Sequence, residues 1–194
     1  MILFLNKYKK LTIILLIMAL VAFVFILIIG FGIYPLAIAD GKIITSRQYY
    51  KSYNLAYNYF SYFNNFYGVK DSPEFEKEMK LTVMQGLIDE IIVDKKLAQE
   101  FKKSELQQKV NEKVNQMYEG ENFKKILSEI TKVSEDDIKN YFIENQAKND
   151  ILAGRLDLEG KNVVSWLVEK RKEIKIYLLA PHMKWEKGEI EWKD

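Results

Sequence analysis

The sequence predicts a mostly α-helical protein, in which an N-terminal transmembrane helix precedes one helical domain with a small sheet. Residues 11–34 form an uninterrupted apolar run, and helix caps followed by apolar stripes recur along most of the remaining chain. Only two segments, residues 36–45 and 174–178, have the pattern of strands. Because an isolated strand needs a partner, we expect these N- and C-terminal strands of the domain to pair with each other.

The run Leu11–Tyr34, LTIILLIMALVAFVFILIIGFGIY, contains no charged residue. At about 1.5 Å per residue it reaches about 35 Å, enough to cross a hydrocarbon core of about 30 Å. Lys7, Lys9 and Lys10 precede it without an acidic residue, so residues 1–10 are expected in the cytoplasm. The prediction is a single-pass protein of the cell membrane, in contact with the lipid bilayer through residues 11–34, with an extracytoplasmic domain.

Two other interpretations of this run remain open. A cleaved signal peptide would also begin with basic residues, and Ala37-Ile38-Ala39 matches the A-x-A pattern before a cleavage site. The apolar region of a signal peptide is usually about 7 to 15 residues, shorter than this run, which favours an uncleaved anchor. A buried core helix fits less well, because a soluble domain would have to surround a helix that is apolar on every side.

Composition restricts the classes of function. The chain has 29 basic residues, of which three precede the span, and 27 acidic residues, so the balance outside the span gives no electrostatic case for binding nucleic acid. There is no cysteine and only one histidine, His182, so we expect no metal site and no cofactor. The residues after the span suffice for one domain, predicted over 35–180, followed by a tail, 181–194.

The first elements of the domain have clear local signals. Asp40-Gly41 between two apolar runs predicts a tight hairpin turn. Thr45 with Gln48 three residues later forms a capping box, so a helix should run from about Ser46 to Tyr67 and stop at Gly68.

This first helix is unusually rich in aromatic residues. At 100° per residue they divide into two stripes. The first stripe contains Tyr49, Tyr53, Tyr57, Phe60 and Tyr67, and the second contains Tyr59, Phe63 and Phe66. A core face can hold about half of them, and the surplus predicts an exposed surface for apolar segments of another polypeptide. These eight residues are the candidate polypeptide-binding site.

The second helix is predicted from Pro73 to about Lys102, with Ser72 as its N-cap, and should provide the main packing surface of the domain. Gly86 lies inside it at a cost of about 1 kcal/mol relative to alanine. We interpret this glycine as a place where a neighbouring helix crosses closely.

Four shorter helices follow, and the tail is expected to be mobile or peripheral. Their signals are a capping box at Ser104 and Gln107 with a stop at Gly120, caps at Asn122 and Ser134, and an apolar group from Val163 to Val168. The acidic residues after Ser134 are expected in a first helical turn from the helix dipole alone, without a metal. Trp185 and Trp192 lie in the tail.

The sequence contains no phosphate-binding loop, dinucleotide fingerprint, zinc-protease motif or nucleophile elbow. The neighbouring carboxylates Asp89 and Glu90 should point about 100° apart on their helix and so cannot act on one substrate atom. The residues therefore predict a protein that is not an enzyme.

The order of these features resembles the N-terminal chaperone domain of SurA-type proteins, whose relatives include PpiD-like and PrsA-like foldases. The residues that carry the resemblance are DGKIIT at 40–45, LIDEII at 87–92 and SEDDIKNYFIENQ at 134–146. The resemblance covers about residues 36–180 and implies a mostly helical module that binds unfolded or nascent extracytoplasmic polypeptides. Family members often carry a parvulin-type prolyl isomerase domain, for which residues 181–194 are too few, so isomerase activity is not expected.

Three functional hypotheses follow, and a prolyl isomerase is the least favoured of them. The first is a membrane-anchored, chaperone-like domain that binds non-native polypeptides through an apolar, aromatic groove. The second is a structural or assembly module whose helical surface docks one specific partner in the cell envelope.

Overall fold

The computed structural model describes residues 13–23, 26, 30, 32–68, 72–117 and 121–193, and only the backbone of residues 121–124. Residues 13–23 are helical and exposed. Within the described residues, no helix is long and apolar enough to cross a membrane. The predicted span Leu11–Tyr34 lies partly outside the described residues and stays a prediction.

Three short strands form an antiparallel sheet that joins the two ends of the predicted domain. Strands β1 (Pro35–Ala39) and β2 (Lys42–Thr45) form the expected hairpin, and β3 (Ile176–Leu178) pairs with the other edge of β1. The turn residues Asp40 and Gly41 have φ angles of 51° and 81°, as the Asp-Gly signal requires. The predicted pairing of the N- and C-terminal strands is confirmed, and β1 is the central strand.

Two long helices follow the hairpin, and both begin where their caps predict. Helix α1 (Ser46–Phe66) starts after Thr45, whose hydroxyl accepts a 3.2 Å hydrogen bond from the Gln48 amide. It stops before Gly68, which has a φ of 73°. Helix α2 (Pro73–Glu100) starts after Ser72, which accepts from the Phe75 amide. Local capping chemistry therefore determined both starts.

The next helices complete a bundle around α2. They are α3 (Lys103–Met117), α4 (Glu121–Thr131), α5 (Glu135–Ile138), α6 (Glu144–Leu158) and α7 (Val163–Glu173). Ser134 caps α5 as predicted, whereas α3 and α4 each begin one residue before the predicted caps Ser104 and Asn122. The predicted stop of α3 at Gly120 lies outside the described residues. A π-helical turn, Lys139–Ile143, links α5 directly to α6.

The prediction of a mobile or peripheral tail is wrong. Strands β4 (Met183–Glu186) and β5 (Glu189–Trp192) form a hairpin whose turn, Lys187-Gly188, has φ angles of 53° and 94°. Met183 and Ile190 are buried in the main core, and Trp185 and Trp192 pack against it. The segment is therefore part of the core of the domain.

The buried residues form two clusters, and α1 contributes to both, with Tyr49 in the first and Leu55 in the second. The main cluster joins the three-stranded sheet, α2, the end of α6, α7 and the C-terminal hairpin. The second joins α1, α3, α4, α5 and the start of α6, and contains Leu55, Val110 and Ile143. A bidentate ion pair between Arg171 and Asp89, with N to O distances of 2.7 and 2.5 Å, ties α7 to α2.

Candidate functional site

An open groove lies between α1, α2 and α6, at the junction of the two core clusters. Its volume is about 440 Å³, within the range of about 300–1,000 Å³ that is usual for ligand-binding sites. Each helix contributes one face; from α1 these are Ser52, Leu55, Ala56, Tyr59 and Phe60, at the i, i+3, i+4, i+7 and i+8 positions. Most of the wall is apolar, so the groove is suited to apolar groups.

Gly86 lies on the α2 wall of the groove, on the face of α2 that also carries Val83 and Leu87. Among the described residues, a Cβ atom placed on Gly86 would have no heavy atom within 4 Å apart from its chain neighbours and the nearby backbone of its own helix. The expectation that a neighbouring helix crosses closely at this glycine is therefore wrong. The missing side chain instead leaves open space between α1 and α6.

The mouth of the groove is aromatic. Tyr59 and Phe60 meet edge to face with ring centroids 5.4 Å apart, and Phe60 is 47% exposed. The π-helical turn contributes Tyr141 and Phe142 to the lining, and Phe142 is 45% exposed. Turns of this type are often found at functional sites. Two half-exposed phenylalanines, from different elements, therefore line the apolar groove.

The lining also contains two polar groups, Ser52 on α1 and Glu90 on α2. Ser52 Oγ is buried and has no hydrogen-bond partner within the described part of the chain. Burial raises the pKa of the Glu90 carboxyl, against the opposing effects of nearby Lys148 and a hydrogen bond from Asn145. A bound segment could satisfy both groups.

The eight aromatic residues predicted to bind polypeptides are not all in this groove. Tyr49, Tyr53 and Tyr57 stack along α1 with centroid separations of 6.3 and 5.6 Å, and Tyr57 contacts Phe75 of α2. Tyr49 is buried, and its hydroxyl donates a 3.3 Å hydrogen bond to the Lys80 carbonyl. These three tyrosines pack against the main core.

The other five differ in exposure. Tyr59 and Phe60 line the groove, and Phe63 contacts Tyr59 at a centroid distance of 4.9 Å. Phe66 and Tyr67, at the end of α1, are each 74% exposed and meet edge to face. The aromatic surplus is thus divided between the groove and the exposed end of the helix.

Sequence reasoning missed the α2 and α6 walls of the groove. The signal for α2 was Gly86 together with Thr82 and Glu90, a small residue and polar residues on an otherwise apolar face. The signal for α6 was weaker, because Asn145, Gln146 and Asn149 look like an ordinary solvated surface. Their proximity to α1 depends on tertiary packing.

Comparison of the chain with protein-family models, with curated proteins and with solved structures found no match. Within the described residues, no three histidine, aspartate or glutamate side chains are grouped so that they could hold a metal ion. The groove is therefore interpreted from its own geometry.

Proposed function

We propose that this protein is a membrane-anchored, extracytoplasmic, chaperone-like protein that binds apolar segments of unfolded or nascent polypeptides in the groove between α1, α2 and α6. The observation that carries the proposal is an open apolar groove with half-exposed Phe60 and Phe142 at its mouth. Burying apolar surface is favourable by about 25 cal/mol per Å². This gain depends on the apolar area that a client buries and not on one particular client sequence.

Two further points support this function. The resemblance of DGKIIT, LIDEII and SEDDIKNYFIENQ to SurA-type chaperone domains falls on β2, α2 and the α5–α6 segment, and the latter two form walls of the groove. An anchor over residues 11–34 would concentrate a weak binder near emerging chains, since tethering raises effective concentration.

Filling the groove from its α2 wall tests the proposal. Gly86→Leu places a side chain in the open space, and it should also stabilise α2 by about 0.8–1 kcal/mol because glycine is a poor helix former. We expect the full-length variant to lose most of its ability to slow aggregation of a denatured client, while its melting temperature does not fall.

Gly154→Leu is the matched control. Gly154 is also an open helical glycine, but it lies outside the groove lining. This variant should keep the anti-aggregation activity. If Gly86→Leu is as active as the unmodified chain, the groove is not the binding site.

A second candidate function is docking of one specific partner in the cell envelope. The exposed pair Phe66 and Tyr67 favours it, because the pair lies outside the groove and offers apolar surface at the end of α1. Photocrosslinking from position 66 in cells distinguishes the two functions. One dominant product favours a fixed partner, and a broad set of products favours polypeptide clients.

A further inference from the structure

The α2 wall of the groove carries an acidic group, Glu90, that forms no salt bridge with the part of the chain that the structure describes. Glu90 lies on the α2 wall, and the two lysines near it are Lys42 of β2 and Lys148 of α6. Both pair with Asp94 instead, at 3.6 and 2.9 Å. Within the described residues, no salt bridge reaches Glu90.

We propose that Glu90 determines the client preference of the groove, by pairing with a lysine or arginine that lies next to apolar residues in the bound segment. This inference rests on the proposed function, since it assumes that the groove binds polypeptides. The apolar part of the segment would occupy the space between Phe60 and Phe142, and its basic group would reach Glu90.

The physical reason is desolvation. A carboxylate held in an apolar groove has lost part of its hydration, and an incoming cation replaces the lost interaction at low local dielectric. An arginine guanidinium could bind both carboxylate oxygens. A client with an acidic residue at the same place would meet the Glu90 carboxylate, and it would be disfavoured.

The proposal predicts a dependence on pH. The groups that face Glu90 are Lys42, Asp94, Asn145 and Lys148, with Tyr141 on the groove wall nearby. Burial raises the pKa of the Glu90 carboxyl, so this group takes up a proton as the pH falls toward the acid range. Protonation removes the charge that attracts the client cation, and the preference for basic segments should disappear.

Three fluorescent peptides test this inference. They share one apolar sequence and differ at a single position, which is lysine, glutamine or glutamate. At about pH 8, we expect the full-length chain to bind the lysine peptide about tenfold more tightly than the glutamine peptide, and the glutamate peptide most weakly. Glu90→Gln should abolish this order, so that the lysine peptide loses its advantage over the glutamine peptide.

Glu78→Gln is the matched control, since Glu78 is an exposed glutamate on the same helix and outside the groove. It should leave the preference intact. A pH series on the unmodified chain needs no variant and should show the lysine preference lost in acid while the glutamine peptide still binds.

The outcomes separate this inference from the proposed function. Equal binding of all three peptides, or a lysine preference that survives in Glu90→Gln, overturns the role of Glu90 and leaves the groove as a binding site. Failure of every peptide to bind overturns both.

Discussion

At the scale of single residues, Glu90 and Gly86 mark the groove because each is unfavourable for stability where it lies. A glycine inside a helix costs about 1 kcal/mol relative to alanine, and a carboxylate in an apolar wall loses hydration. Gly86 faces open space, and Glu90 lies on the same wall. Locally unfavourable residues are a common property of functional sites.

Replacing Glu90 by glutamine should stabilise the free protein in a pH-dependent manner. The folded-state pKa of Glu90 is raised above its ordinary value of 4.5, so the folded protein binds this proton more tightly than the unfolded chain does. The stabilising contribution of protonated Glu90 is complete below the ordinary glutamate pKa. It is lost as the pH rises through the folded-state pKa of Glu90. Urea denaturation should therefore show little difference between Glu90→Gln and the unmodified chain near pH 4.

At about pH 8, the free energy of unfolding of Glu90→Gln should exceed that of the unmodified chain by more than about 0.5 kcal/mol, which is the usual limit for a surface substitution. The measured quantity is the free energy of unfolding at each pH. A variant that is less stable at the higher pH would show that Glu90 is stabilised by its neighbours and that its pKa is not raised.

At the scale of elements, the C-terminal hairpin β4–β5 was not predicted from the sequence pattern. Apolar and polar residues alternate on both sides of the turn Lys187-Gly188, and this pattern is typical of a hairpin. The apolar residues are Met183, Trp185, Ile190 and Trp192. The charged residues between them resemble a solvated tail. Packing against the main core, which no local pattern reports, decides between the two interpretations.

Truncating Ile190 should test that packing. Ile190 is 8% exposed in the main core, so Ile190→Ala should lower the free energy of unfolding by about 2–4 kcal/mol through lost burial and a new cavity. Lys193→Ala, an exposed change on the same segment, should alter it by less than about 0.5 kcal/mol. Chemical denaturation measures both variants. If Ile190→Ala lowered the free energy of unfolding as little as Lys193→Ala does, the hairpin would contribute little to the core.

At the scale of the whole molecule, β1 connects the predicted anchor to the domain. Its residues Leu36, Ala37 and Ala39 are buried, and the Leu36 carbonyl accepts hydrogen bonds of 2.8 Å from both Leu179 and Ala180. Immediately before β1, the Tyr34 carbonyl accepts a 2.9 Å bond from the Ser46 amide. Cleavage after Ala39 would remove the central strand of the sheet, which favours retention of the apolar segment.

A chain that begins at Asp40 should therefore fail to unfold cooperatively. It lacks β1, so β2 and β3 lose their shared partner and the buried apolar surface of that strand is lost. A chain that begins at Gly32 is the control, because it keeps β1 and the contacts before it. Thermal unfolding followed by circular dichroism makes the comparison, and a sharp transition in the Asp40 chain would make cleavage at Ala39 compatible with a folded product.

The sequence by itself determined the features that depend on neighbours a few residues apart. Thr45 and Ser72 set the starts of α1 and α2, Asp40-Gly41 set the first hairpin, and the mostly helical class followed from the apolar periodicity. Caps and turns act over three or four residues, so their energetics are local and can be recognised without the fold.

Only the tertiary structure decided which aromatic residues are buried, what Gly86 faces and where the last residues lie. Tyr53 and Phe60 both lie on the aromatic face of α1, yet one stacks against the core and the other borders the groove. That difference depends on α2 and α6, which are distant in sequence. Packing between distant segments has no local code, because the same side chain is stable in either place and its neighbours determine the outcome.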